Sequence, residues 1–317
     1  MLARKFVDLS RYAMLPLLMI VLGAMTLKMG GTAFARAFPY YGVFAIFFAM
    51  ITVERVYSYR NAVSQRHMIW RDLISTAVET LILGALVGAV VLPVLRYFPS
   101  TFLGRRFLFG FSNQLGPLWV QVLAVSLLGS FWNYWMHRFQ HTNGFLWKLH
   151  GYHHGVTDIR ASNIFVSNPL DYALRNILGV LVLSIVGFNP VATVFAAMNV
   201  YGYFSHSGAD VKGGWLNYFF NTSEVHRWHH SAEFPDDKKF RYGCNFGVSV
   251  SFWDIIFGTF YLPKDEKGHV LAPPRLGHPE GYPDEPNYLK MLLAVRAFPA
   301  VERFFGRKED LTSVPAE

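Results

Sequence analysis

The sequence predicts an all-α fold: an integral membrane helical bundle with a histidine-rich cap on its cytoplasmic side. Three observations predict it. Of the 317 residues, 52% are hydrophobic and only 16% charged, whereas a soluble domain carries about 25% charged residues. The apolar residues gather into five stretches, roughly 12–30, 39–53, 72–97, 116–136 and 173–204, and a membrane helix needs about 20 such residues. Nine of the twelve histidines fall between His137 and His230, close to the ends of the last two stretches.

The first stretch follows Arg4 and Lys5 and ends before Ala33-Phe34-Ala35, the outline of a signal peptide. Lys28 intervenes and further spans follow, so it reads as an uncleaved anchor. The second is short and needs flanking residues to cross. Arg4, Lys5 and Arg11 precede the first span, and Arg55, Arg60, Arg66 and Arg71 separate the second from the third. The positive-inside rule places both segments in the cytoplasm, although Lys28, Arg36, Arg105 and Arg106 make the bias modest. Four crossings then return the chain to the cytoplasm near His137. Asn189-Pro190 interrupts the fifth stretch; proline breaks or kinks a helix there, and a re-entrant or two-helix hairpin would start and finish on one side.

Beyond residue 207 the chain is more polar. Residues 231–245 read as a charged loop, 263–288 are rich in Pro and Gly, and 288–306 mix apolar and basic positions as an interfacial helix does. Three regions follow: N-terminal spans (1–115), a histidine-bearing domain (116–263) and a cytoplasmic or interfacial tail (264–317). The net charge of +8 lies on Lys and Arg that flank apolar spans amid 17% aromatic residues, which suits a membrane surface rather than nucleic acid. The C-terminal SVPAE lacks a lysine-based retrieval signal, which favours a bacterial inner membrane over the endoplasmic reticulum. A single cysteine, Cys244, excludes an intramolecular disulfide, a Cys-rich zinc site and a self-contained iron–sulfur cluster.

The histidines come as HRFQH (His137, His141), HGYHH (His150, His153, His154) and HRWHH (His226, His229, His230), with His206 alone in FSHSG. On a helix, i and i+4 share one face, and i, i+3 and i+4 spread over about 100°. Adjacent histidines of a triplet can therefore reach two different ions. Nine imidazoles are too many for one metal and suit two, with four or five nitrogens each. Zinc in a closed histidine cage would have little to do, and copper usually takes fewer histidines or a sulfur. Iron with an open position can activate O2. Asp158, Asp171, Glu224 and Asp254 are candidates to balance the charge, and Glu224, Asn133, Asn163, Asn168 and Asn245 to hold the rings' second nitrogens. Trp132, Tyr134, Trp135, Trp147, Tyr152 and Trp228 either shape a substrate slot or form an interfacial belt. His67, His269 and His278 stand in basic or Pro-rich surroundings and read as solvated.

These motifs resemble the fatty acid hydroxylase superfamily, which includes sterol desaturases and fatty acid 2-hydroxylases. WNYWMHRFQH is similar to its first box, LWKLHGYHH to its second, NTSEVHRWHH to its last, and residues 245–263 to the segment that follows. The resemblance implies a membrane-embedded di-iron centre, O2, a lipid substrate from the bilayer, and electrons from a separate cytochrome b5-, ferredoxin- or reductase-type donor. It implies nine ligands: His137, His141, His150, His153, His154, His206, His226, His229 and His230. Two departures stand out: Asn133 occupies a position that is often acidic, and Gly202 one where fatty acid 2-hydroxylases carry a further histidine. The expectation is a hydroxylase of a lipid (a sterol, an acyl chain, an ether lipid or an aminolipid) with two iron ions, for which zinc can substitute in purified protein. A desaturase on the same centre, a membrane metal carrier or sensor, and a haem protein are the alternatives.

Overall fold

The computed structural model describes residues 9–14, 48–59, 68–97, 116–185, 202–279, 284 and 286–293. The expected first span beyond residue 14, the Asn189-Pro190 break and the interfacial helix beyond 293 lie outside the described residues, as does His67. The described chain is helical. Its only extended pairings among the described residues are isolated bridges such as Ser58 opposite Ala209 and Phe220 opposite Val250.

Short helical segments occupy 9–14 and 48–56. Helix α1 (Ile69–Leu86) runs through a π turn (Val87–Val91) into α2 (Leu92–Tyr97). Pro93 lacks the N–H that would continue the α ladder, and a π turn is the usual local adjustment. α3 (Leu118–Thr142), α4 (Gly144–His154) and α5 (Pro169–Ile185) follow, then the shorter α6 (Gly202–Ser205), α7 (Ser223–His229), α8 (Phe252–Ile256) and α9 (Tyr288–Leu293). α3 packs on α4 and α5, and α1 packs on α5.

Two helices are turned inside out relative to a soluble protein. On α1, Arg71, Asp72, Ser75 and Glu79 are buried while Trp70, Leu73, Ile74 and Leu81 are exposed. The inward stripe bonds to the 160–167 segment: Ser162 Oγ donates to Asp72 (2.8 Å), Ser75 Oγ to Phe165 O (2.5 Å) and Ser167 Oγ to Glu79 (2.9 Å). On α3, Trp119, Leu123, Leu127, Phe131, Trp135 and Phe139 form an exposed stripe at four-residue spacing, and Tyr134, His137, Gln140 and His141 face inward. Polar groups inside and apolar groups outside suit an apolar solvent. By length and composition, one stretch among the described residues, Ile69–Val90 with mean hydropathy 2.0, is able to cross a membrane. α3 is longer, but Gln121, Ser126, Ser130 and Asn133 dilute it.

Tight joints place the histidine-bearing elements. Asn143 alone connects α3 to α4: its N–H closes α3 on Phe139 O (2.9 Å), and its Oδ1 caps α4 by accepting from Phe145 N and Leu146 N (both 3.1 Å). Asn favours such caps because its short side chain reaches the first free amides of a helix. Gly179 of α5 lies where an added Cβ would stand 2.9 Å from Trp132 of α3, so its lack of a side chain sets that helix spacing.

Candidate metal centre

All nine histidines expected at the site converge, and they do so in two groups. His137, His141, His150, His154 and His229 place one ring nitrogen each within 4.8 Å of one another; His153, His206, His226 and His230 do the same. Helical rotation explains the division. Residues i and i+4 lie about 40° apart around the axis, whereas i+3 and i+4 lie about 100° apart. The i, i+4 pair of α3 (His137, His141) and that of α4 (His150, His154) both face the first group, and His153 turns to the second. On α7 the assignment is crossed: His226 and His230, at i and i+4, face the second group and His229 turns to the first. The groups adjoin, with His154 stacked on His230 at 4.4 Å between ring centroids.

The nitrogen spacing suits metal ions. Two ligands at about 2.1 Å from one ion and at right angles are about 3 Å apart. His137 Nε2 and His150 Nε2 are 3.0 Å apart in the first group, and His206 Nε2 and His230 Nε2 are 3.3 Å apart in the second. His141 Nε2, His154 Nε2, His226 Nε2, His229 Nε2 and His230 Nδ1 are buried without a hydrogen-bond partner. Buried polar atoms are almost always paired, so five such nitrogens, three from one group and two from the other, fit metal cations as partners. Burial, reinforced for most of the rings by their neighbours, lowers every one of these imidazole pKa values, His206 to about 3 and His229 to about 4. The rings are therefore neutral near pH 7, the form that offers a lone pair.

The opposite nitrogens are held mostly by backbone. One short segment serves three rings of the first group: His141 Nδ1 meets Tyr242 O (3.0 Å), His229 Nδ1 meets Cys244 O (2.8 Å) and His137 Nδ1 meets Phe246 O (2.8 Å). Positive φ angles at Gly243 (106°) and Asn245 (55°) punctuate the segment between these three residues, and the carbonyls of 242, 244 and 246 act as a comb. A carbonyl only accepts, which puts the proton on Nδ1 and leaves the Nε2 lone pair facing inward. Two residues anchor the comb. Asp254 accepts from Phe246 N (2.7 Å), Gly247 N (2.8 Å) and Thr259 Oγ1 (2.7 Å). Asn245, at a left-handed φ of 55°, donates to Val225 O (3.0 Å) and Tyr261 O (2.8 Å). In the second group His153 Nδ1 meets Val166 O (3.2 Å), His206 Nδ1 meets Arg160 O (3.3 Å) and His226 Nδ1 meets the Asn221 amide (3.2 Å).

Among the carboxylates and amides considered from the sequence, only Asp171 touches a ring of the set. Its Oδ2 is 3.0 Å from His150 Nδ1, and Gln140 Nε2 donates to its other oxygen. Burial raises Asp171 to about 6, against Arg175 and Gln140. Glu224 instead accepts from Gly213 N and Asn217 (2.9 and 3.0 Å), Asp158 faces Arg160, Asn163 caps the turn at Arg160 N and Asn168 caps α5 at Leu170 N. Gln140, Asn221 and the carbonyl comb were missed. Asn221, five residues before His226, carried a usable signal in its spacing; carbonyls carry none, since every residue has one.

His269 is exposed as expected, but the reading of His278 as solvated is corrected. His278 is buried and stacks on Trp147 at 4.8 Å. Trp147 in turn lies 4.7 Å from His141 and 5.2 Å from His154. A Pro- and Gly-rich segment can fold back over a site, and local composition does not reveal it.

Residues 122–259 match the fatty acid hydroxylase family, a range that contains all nine histidines and the comb. The chain is similar to the ornithine lipid hydroxylase OlsE of Rhizobium tropici, 30% identical over 149 residues covering 46% of this chain and 44% of that protein. It is similar to sphinganine C4-monooxygenase 1 of Arabidopsis thaliana (28% over 165 residues, 49% and 60%) and to the very-long-chain aldehyde decarbonylase GL1-9 of Oryza sativa subsp. indica (29% over 169 residues, 49% and 60%). The chain thus spans about half the length of the curated relatives it matches. No solved structure matches it. The segment that carries both histidine groups is thus the part of the chain that matches the fatty acid hydroxylase family.

Proposed function

We propose that this protein is an integral membrane oxygenase that hydroxylates a lipid. His137, His141, His150, His154 and His229 hold one iron, and His153, His206, His226 and His230 hold the other. The observation that carries this reading is the pair of buried, neutral nitrogen clusters, of five and four, in which five ring nitrogens have no hydrogen-bond partner. Iron bound there supplies O2 activation, and the overall balance is R–H + O2 + 2 e⁻ + 2 H⁺ → R–OH + H2O, with the electrons drawn from a cytochrome b5-, ferredoxin- or reductase-type donor. The chain's own groups do the rest. Burial keeps the nine imidazoles unprotonated and away from bulk water, the comb fixes three tautomers, and Asp171 orients His150.

The membrane reading rests on the inside-out helices. α1 and the first part of α3 cross the bilayer within the 1–115 and 116–263 regions, and the histidine groups lie in a cytoplasmic cap that the stretch around His278 helps to cover. A bacterial inner membrane is the proposed location. Ornithine lipid and sphinganine, named for two relatives, both carry an amino group, which makes an amine-bearing lipid the proposed substrate class.

Metal analysis of protein produced with iron present should give about two irons per chain, or zinc in their place. One metal or none overturns the reading. Lipid mass spectrometry of a strain lacking the protein should show loss of hydroxylated species. Appearance of saturated in place of unsaturated chains would instead indicate desaturation, and an unchanged lipid profile with two bound metals would indicate a carrier or sensor.

A further inference from the structure

The segment 48–59 lies outside the family-matched region, yet it reaches the second histidine group. Glu54 stands near the end of the 48–56 helical segment. Its Oε1 accepts from two backbone amides, Ala161 N at 2.6 Å and Gly208 N at 2.8 Å. Between those two contacts lies the bond that orients His206, from its Nδ1 to Arg160 O at 3.3 Å. Arg160 directly precedes Ala161, and Gly208 is two residues past His206. One carboxylate oxygen therefore ties the strand of chain that bears the ring to the strand that bears its acceptor.

The same segment adds further ties. Tyr59 N donates to Gly208 O (2.9 Å), Asp210 N donates to Tyr57 O (2.5 Å), and Ser58 pairs with Ala209. Met50 packs with Ala161, Ile164, Phe165 and Phe204. His206 has particular need of such support. The other three members of its group sit on or at the end of α4 and α7, helices that carry other histidines of the set, whereas His206 alone follows the four-residue α6.

We propose that Glu54 is a positioning residue for the second metal: it holds His206 in register with His153, His226 and His230. The proposal rests on the two-iron reading above. The test compares wild type, Glu54→Ala, Glu54→Asp and Glu54→Gln, produced with 57Fe, by metal stoichiometry and Mössbauer spectroscopy, with size exclusion and circular dichroism to establish folding. A glutamine Oε1 still accepts from both amides; alanine accepts from neither, and the shorter aspartate cannot span both.

The expected result is about two irons for wild type and Glu54→Gln, and about one for Glu54→Ala, with one Mössbauer site lost and the other unchanged. Removal of such a supporting bond costs about 10–100-fold in metal affinity. Should the alanine variant fail to fold, the aspartate variant carries the same expectation. Two irons with wild-type spectra in both would overturn the proposal. Equal loss of both irons would overturn it too, because that marks a general scaffold role. A wild type with fewer than two metals would instead remove the two-iron reading on which the proposal stands.

Discussion

Replacing Asp254 by Ala should destabilise the protein and loosen the first histidine group together. Asp254 touches none of the nine rings. It accepts from two buried backbone amides, Phe246 N and Gly247 N, and from Thr259 Oγ1. The threonine hydroxyl has a second partner, Tyr134 OH at 2.9 Å, and can turn to it; the two amides have no such recourse. A buried donor left unsatisfied costs about 1–3 kcal/mol, so the substitution should cost about 2–6 kcal/mol, a large share of the roughly 5–15 kcal/mol that holds a domain folded. At about 2 °C per kcal/mol for a chain of this size, the melting temperature in detergent should fall by about 4–12 °C. Phe246 O is the atom that holds His137, and Cys244 O and Tyr242 O hold His229 and His141. Metal retention should therefore drop with stability. Asp254→Asn keeps an acceptor and should lie between the two. An alanine variant that melts within about 1 °C of wild type and keeps its full metal complement would refute the idea that Asp254 anchors the comb.

Three further outcomes are expected. Asp171→Asn removes the anionic acceptor from His150 Nδ1 and should weaken metal binding about 10–100-fold in a chelator competition; unchanged retention would show that the bond contributes little. Gly179→Ala gains about 1 kcal/mol in helix propensity, but its Cβ would stand 2.9 Å from the Trp132 ring and displace the Trp132 Nε1 bond to Arg175 O (3.2 Å). Overpacking of about 1–3 kcal/mol plus a lost bond of about 1 kcal/mol wins, so a lower melting temperature is expected, and a higher one would contradict the close α3–α5 contact. Burial raises Asp158 to about 6 despite Arg160, so between about pH 4 and pH 6 the folded state binds a proton that the unfolded chain does not, and stability falls as pH rises through that window. Asp158→Asn should therefore stabilise relative to wild type at pH 7.5 and not at pH 4; the reverse ranking would exclude a raised pKa.

The helices and the histidine set were legible in the sequence for one reason: both depend on local periodicity. The i, i+3, i+4 spacing in HGYHH and HRWHH becomes helix in α4 and α7, and the same spacing divides each triplet between two groups. What could not be read depends on chain reversal. The carbonyls of residues 242, 244 and 246 serve His141, His229 and His137, about a hundred residues earlier or fifteen earlier, through atoms common to every residue. His278 looked solvated because its neighbours are Gly and Pro, yet those residues allow the segment to fold back onto Trp147. Glu54 directly follows the second apolar stretch, and its partners are two amides more than a hundred residues away. Asp171 was one of four acidic candidates, and nothing local distinguished it from Glu224, whose oxygens go to Gly213, Asn217 and Lys212.

The crossed use of the two triplets has a mechanical consequence. α4 gives two rings to the first group and one to the second; α7 gives one to the first and two to the second. Neither helix can shift or rotate without altering both groups, and the stacked pair His154 and His230 joins them across the boundary. α3 and the 206 segment are different, since each serves one group only. A disturbance of α4 or α7 should therefore register at both histidine groups, while one confined to the comb at 242–246 or to Glu54 should register at one. The comb acts on the five-nitrogen group and Glu54 on the four-nitrogen group, so each support serves one group while α4 and α7 serve both. Such an arrangement lets one group be tuned through backbone carbonyls and the other through a carboxylate from the N-terminal region, while α4 and α7 couple the two.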